Sequence, residues 1–220
     1  MTQPEWKRGA HLIDGPVGRI ELRIDLPETK AERGEVAVVC HPHPQFGGTL
    51  DNKVAYTLAR AYNELGMPAV RFNFRGVGDS EGEYDQGVGE VEDCLAVIDW
   101  VRRQYGDVTV HLAGFSFGAI VALRAVVRCT GIASLVTVAP PVSYFENDAF
   151  SAPKLPWVVI QGESDELVSS HEVLRWALSL ERPPRVELFP QTSHFFHGQL
   201  PELRRRVVTA IRDVVTGSLE

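Results

Sequence analysis

Apolar positions along the chain follow two alternating rhythms. Short β-branched runs at residues 35–40, 69–74, 108–112, 133–138, 157–161 and 186–189 are separated by longer stretches whose apolar positions recur about every 3.6 residues. Glu35-Val36-Ala37-Val38-Val39-Cys40 is apolar almost without interruption, which predicts a strand covered on both faces, whereas residues 20–26 alternate and predict a half-exposed antiparallel strand near the sheet edge. Residues 52–65 and 170–180 read as helices. Val91, Leu95, Ile98, Val101 and Tyr105 mark one face of a longer helix, and Leu203, Val207, Ile211 and Val214 give the closing helix a buried stripe behind Pro201. The alternation predicts an α/β protein with a mostly parallel twisted sheet and helices on both faces. No linker or repeat breaks it, so residues 1–220 are expected to form one domain.

Composition narrows the partners. At 220 residues, 44% hydrophobic and 23% charged, the chain can bury a full sheet-and-helix core. A net charge of −7 without an acidic block argues against nucleic acid or an anionic membrane surface as a main partner. Arg204-Arg205-Arg206 falls within an amphipathic helical pattern and reads as a solvated face. Cys40, Cys94 and Cys129 have no paired spacing and read as buried free thiols of a reducing compartment. The opening residues are followed by no apolar leader core, and no apolar run reaches membrane-spanning length, so a cytoplasmic location is expected. Oligomeric state is not written in these patterns.

The chemistry begins at Gly114-Phe115-Ser116-Phe117-Gly118, where a predicted strand runs directly into an apolar helical stretch. A serine hydroxyl is a poor nucleophile, and a strained strand-to-helix turn exposes it beside a base and beneath backbone donors. After the run 157–161, Gly162-Glu163-Ser164-Asp165 offers an acid: Asp165 is chosen, with Glu163 and Glu166 as adjacent alternatives. After the last strand, Thr192-Ser193-His194-Phe195-Phe196-His197 offers a base: His194, nearer the strand end, is chosen over His197. The order serine, acid, histidine is that of the α/β-hydrolase architecture and of neither chymotrypsin nor subtilisin. A second oxyanion donor beside the Phe117 amide is sought in His41-Pro42-His43-Pro44-Gln45-Phe46-Gly47-Gly48. Proline has no amide hydrogen, so His43 N–H is the first choice, with Gln45 and Phe46 as fallbacks. His11, His111 and His171 default to structural roles.

Other motifs fail. Gly76-Val77-Gly78-Asp79-Ser80-Glu81-Gly82 has Glu81 where a dinucleotide fingerprint needs glycine, and reads as a turn bracing the site. His171-Glu172-Val173-Leu174-Arg175 lacks the second histidine of a zincin. A metal could be held only by His41, His43 and His194 together, with no nearby carboxylate or cysteine to complete the set, and neither metal nor cofactor is expected.

From about Glu35 to the end, the chain resembles the small bacterial serine α/β-hydrolases without a cap domain, related to dienelactone-hydrolase-like and prolyl-oligopeptidase-like enzymes. His41-Pro42-His43-Pro44 with Gly47-Gly48 and Asp51-Asn52-Lys53-Val54, then Phe72-Asn73-Phe74-Arg75-Gly76-Val77-Gly78-Asp79-Ser80-Glu81-Gly82, are similar to two recurring segments of that group. The elbow, Gln161-Gly162-Glu163-Ser164-Asp165 and His194-Phe195-Phe196-His197-Gly198 complete the likeness. Pro42 departs from it, standing where glycine is common. The resemblance implies an α/β-hydrolase fold without cap or lid and hydrolysis of ester-like bonds in a small-molecule substrate. Thioesterase or peptidase chemistry on the same residues, or a non-catalytic ligand-binding scaffold, are its alternatives. Residues 139–156 are too few for a helical lid, which predicts an open site walled by some of Phe46, Tyr144, Phe145, Phe150, Phe195 and Phe196. Of these, Phe46, Tyr144 and Phe195 are the chosen substrate contacts.

Overall fold

A computed structural model describes residues 5–28, 34–145 and 150–215. They form an eight-stranded sheet from β1 (Gly9–Gly15), β2 (Gly18–Asp25), β3 (Glu35–Cys40), β4 (Ala69–Phe72), β5 (Thr109–Phe115), β6 (Ile132–Val138), β7 (Trp157–Gly162) and β8 (Arg185–Phe189). The order is β1-β2-β4-β3-β5-β6-β7-β8. β1, β2 and β4 pair antiparallel, and from β4 to β8 every pairing is parallel. The helices are α1 (Lys53–Glu64), α2 (Gly89–Tyr105), α3 (Phe117–Val126), α4 (Ser170–Ser179) and α5 (Leu200–Val215). None among the described residues is long and apolar enough to cross a membrane.

The continuous apolar runs are explained by two cores. Along β3, Val36, Val38 and Cys40 face one layer and Ala37 and Val39 the other. α2, α3 and α4 cover the first face, and α1 and α5 the second. Alternate side chains of a strand point to opposite faces, so the strands of a sheet sandwiched between helices read as nearly continuous apolar runs.

Residues 20–26 form the expected antiparallel strand near the edge, the edge itself being β1, and two other expectations need correction. β1 escapes notice because its outward positions include the half-exposed Leu12, which blurs the alternation. The inward face of α2 runs through Cys94 and Val97, with Leu95 only half-buried, and β4 stops at Phe72, two residues short. In α5, Leu203, Val207 and Ile211 are buried as expected, while the Val214 side chain lies outside the described residues.

The buried charged groups of this core are paired. Arg71 on β4 is buried and grips Asp25 of the neighbouring strand at 2.6 Å. Arg75 donates to both carboxylate oxygens of buried Asp93, the shortest contact being 2.8 Å, and Gly89 leaves room for its guanidinium. Buried Glu90 accepts from Asp85 N–H at 2.8 Å and Gly87 N–H at 2.7 Å. Ser80 Oγ donates to Asn73 O and accepts from Glu21 N–H, which ties the turn at residues 76–82 to the ends of β4 and β2. The Sγ atoms of Cys40 and Cys94, both free and fully buried, lie 3.7 Å apart between β3 and α2, and burial, then Cys94 itself, push the Cys40 thiol up. Cys129 is only partly buried, departing from the reading of three buried thiols.

Candidate active site

Parallel strands discharge their carboxyl ends on one edge of a sheet, where side chains from separate loops can meet. β5 ends there at Phe115, directly before Ser116. The φ of 54° and ψ of −122° at Ser116 put it in a conformation that side chains avoid, a strain of order 1–3 kcal/mol. The turn is held by Ser116 N–H donating to Val138 O and Ala119 N–H donating to Ser116 O, both at 2.8 Å. The flanking glycines are steric requirements. A Cβ at Gly114 would strike Gly118 O, and one at Gly118 would strike the carbonyls of Cys40 and His41. α3 therefore presses its first turn against β3, with the Phe117 amide at the positive end of the helix.

β7 supplies Asp165. Its Oδ1 accepts from Leu167 N–H at 2.9 Å and Val168 N–H at 2.8 Å, and its Oδ2 from Gln161 Nε2 at 3.0 Å and His194 Nδ1 at 2.8 Å. Burial pushes this carboxyl up, but the hydrogen bonds from His194 and the backbone outweigh it and hold the group below the usual range. An ionised Asp165 fixes the proton of neutral His194 on Nδ1, leaving Nε2 to accept. Nε2 lies 3.1 Å from Ser116 Oγ.

The histidine loop is fastened at both sides. His194 N–H donates to Glu166 Oε2 at 3.1 Å, and Ser164 N–H donates to Thr192 O at 3.1 Å. His197 is exposed and Glu163 holds backbone contacts only, so the structure brings together Ser116, Asp165 and His194 and leaves His197 and Glu163 outside. Glu166 is adjacent, but as a backbone anchor.

The loop after β3 is ordered by its two histidines. His41 is buried; its Nδ1–H donates to Pro42 O at 2.6 Å and its Nε2 accepts from Phe74 N–H at 3.1 Å, and burial pushes the ring down to about 4. His43 Nδ1 accepts from Gln45 N–H at 3.2 Å, and Phe46 N–H donates to His43 O at 3.2 Å. Both fallback amides are thus engaged, whereas no hydrogen bond of the His43 or Phe117 amide is found among the described residues. The three histidines weighed for a metal are each committed to other partners, and no cluster of three or more ligating side chains stands among the described residues.

Phe117 anchors an aromatic wall: the His43 ring lies 4.9 Å from it, Tyr84 5.9 Å and Tyr144 6.3 Å, with Phe46 4.7 Å from His43. Phe195 lies 5.1 Å from His194 and 6.1 Å from Phe115. Phe46 is 86% exposed and Phe195 40%. Phe196, by contrast, is fully buried against Phe189, Phe145 stacks on Trp176 and Phe150 packs tilted against it, so these three pack rather than line the site. Sequence reasoning missed Tyr84 and the anchoring role of Glu166, and it placed Gln161 in a family segment without giving its side chain a role.

Residues 14–152 match the family model described as X-Pro dipeptidyl-peptidase (S15 family). The chain belongs to that family. An α/β serine hydrolase homologue from Coxiella burnetii superposes with a TM-score of 0.89 at 42% identity, covering 94% of this chain and 99% of that one. XC6422 from Xanthomonas campestris, described as an α/β serine hydrolase without lid, gives 0.89 and 42% over 96% and 97%. An uncharacterized protein of Rickettsia prowazekii, RP471, is 38% identical over 165 residues, 73% of this chain and 68% of its own. This S15-family chain is thus an α/β serine hydrolase of the lid-less kind.

Proposed function

We propose that this hydrolase cleaves carboxylic esters by acyl transfer through Ser116, His194 and Asp165. The carrying observation is the unbroken line from Ser116 Oγ to His194 Nε2 at 3.1 Å and from His194 Nδ1 to Asp165 Oδ2 at 2.8 Å. His194 takes the Ser116 proton as Oγ attacks the carbonyl carbon, and ionised Asp165 stabilises the resulting imidazolium. The amides of Phe117 and His43 hold the developing oxyanion. The tetrahedral intermediate collapses, the imidazolium protonates the departing alcohol, and water then attacks the acyl-serine with His194 as base. Phe46, Tyr144 and Phe195 border the acyl or alcohol group in an open site.

The family description favours a second reading, cleavage of a peptide amide by the same residues. An amide leaving group needs protonation by His194 more than an alkoxide does, so kcat/KM for ester, thioester and amide forms of one acyl group separates the readings. Ser116→Ala is expected to abolish both hydrolysis of p-nitrophenyl acetate and labelling by a fluorophosphonate, and His194→Ala to cripple an enzyme that His197→Ala leaves largely active. Labelling that persists without Ser116 would sink the assignment.

A further inference from the structure

The amide proposed as the second oxyanion donor belongs to a residue whose side chain is held from outside its own loop. His43 Nδ1 accepts from Gln45 N–H, so in the neutral ring the proton sits on Nε2, which faces the Tyr84 hydroxyl at 3.1 Å. The two rings lie 5.0 Å apart, and both rest on Phe117, the residue directly after the serine. Tyr84 lies just past the turn at residues 76–82, and the chain from Asp85 to Glu90 is stiff: buried Glu90 takes the amides of Asp85 and Gly87, and Arg75, locked to Asp93, lies 3.9 Å from Asp85. Gly87 approaches Phe117 so closely that a Cβ would sit 3.4 Å from the Phe117 ring. Burial, with Tyr144 and Glu90 nearby, pushes the Tyr84 hydroxyl up to about 12, so it stays protonated as a steady partner.

We propose that Tyr84 is a positioning residue for catalysis, fixing the His43 ring and through it the backbone amide that completes the oxyanion site. This rests on the proposed acyl-transfer reading. A short turn capped by its own histidine has little else to hold it: the described contacts of His43 are Gln45, the loop carbonyl bonds, Phe46, Phe117 and Tyr84. A neutral hydrogen bond of this kind contributes little to stability. Its worth to the reaction is larger, because a donor displaced by a fraction of an ångström loses most of its hold on a charge that exists only in the transition state.

Tyr84→Phe removes one oxygen and keeps the ring packing on His43 and Phe117. For p-nitrophenyl acetate, kcat is expected to fall about tenfold with KM within about twofold of wild type, and the rate of fluorophosphonate labelling to fall by a similar factor. The melting temperature should stay within a few degrees. Three results would each overturn the proposal: wild-type kcat in Tyr84→Phe, a rise in KM at unchanged kcat, which would make Tyr84 a substrate contact, or a loss of rate that tracks a loss of folded protein. If instead Ser116→Ala keeps its activity, it is the acyl-transfer reading that has failed, and the two failures are told apart by that variant alone.

Discussion

A neutral imidazole at His41 joins Pro42 O to Phe74 N–H inside the protein, tying the loop after β3 to the chain leaving β4. Unfolded, such a ring binds a proton near 6.5; folded, burial delays this to about 4. Between those values the unfolded chain holds more protons, so stability falls as pH drops, by about 2 kcal/mol at pH 5 and roughly 3 kcal/mol below pH 4. Asp165 acts lower on the scale. Its depressed carboxyl favours the fold above the ordinary aspartate range and loses that advantage as pH falls through the folded value. Urea midpoints at pH 7 and pH 5 should differ accordingly in the wild type and converge in His41→Gln; an equal pH dependence in that variant would exclude His41 as the cause. The His-Pro-His-Pro motif marked this loop in the sequence. Which histidine is structural was not legible, because Phe74 N–H reaches His41 only through the pairing of β3 with β4.

At the scale of elements, the strand-turn-helix at Ser116 was legible because its steric demands are local. Gly114, Ser116 and Gly118 are spaced by the turn itself. Ala at Gly118 would drive a Cβ into the backbone of Cys40 and His41, which cannot yield as a side chain would. Gly118→Ala is expected to cost about 1–3 kcal/mol by overpacking and to lower ester turnover on the order of 100-fold as α3 and the Phe117 amide are pushed off β3. Ala at Gly131 meets only the tip of the Arg102 side chain and should cost stability alone, through its φ of 71°. Thermal melts beside kcat measure both, and full activity in Gly118→Ala would remove the steric argument. Gln161 and Tyr84 were illegible for the opposite reason. Gln161 reads as one more strand residue, and that its amide meets Asp165 Oδ2 depends on how the chain turns after Gly162. β1 carried a readable sign, the Gly-Pro-Val-Gly turn pairing Gly15 with Gly18, but its exposed Leu12 hid the alternation.

Across the whole molecule, four loops leave the same edge of one parallel sheet after β3, β5, β7 and β8, and each brings one part of the site. The pattern of strands and helices therefore pointed to this edge before any side chain was placed. Phe46 and Tyr144 were named from the sequence, but Tyr84 and Phe117 join them in the aromatic wall only through the fold, so the shape of that wall was not legible. The two thiols between β3 and α2 give the molecule an internal clock. Cys40 and Cys94 are sealed in the layer that backs the site, while Cys129 meets solvent in part. A maleimide added to native protein should consume one thiol quickly and two more slowly and together, at the rate at which that layer parts; three equally fast thiols would deny the seal. Mass spectrometry of the labelled chain would then time the opening of the catalytic scaffold without substrate, in wild type and variants alike.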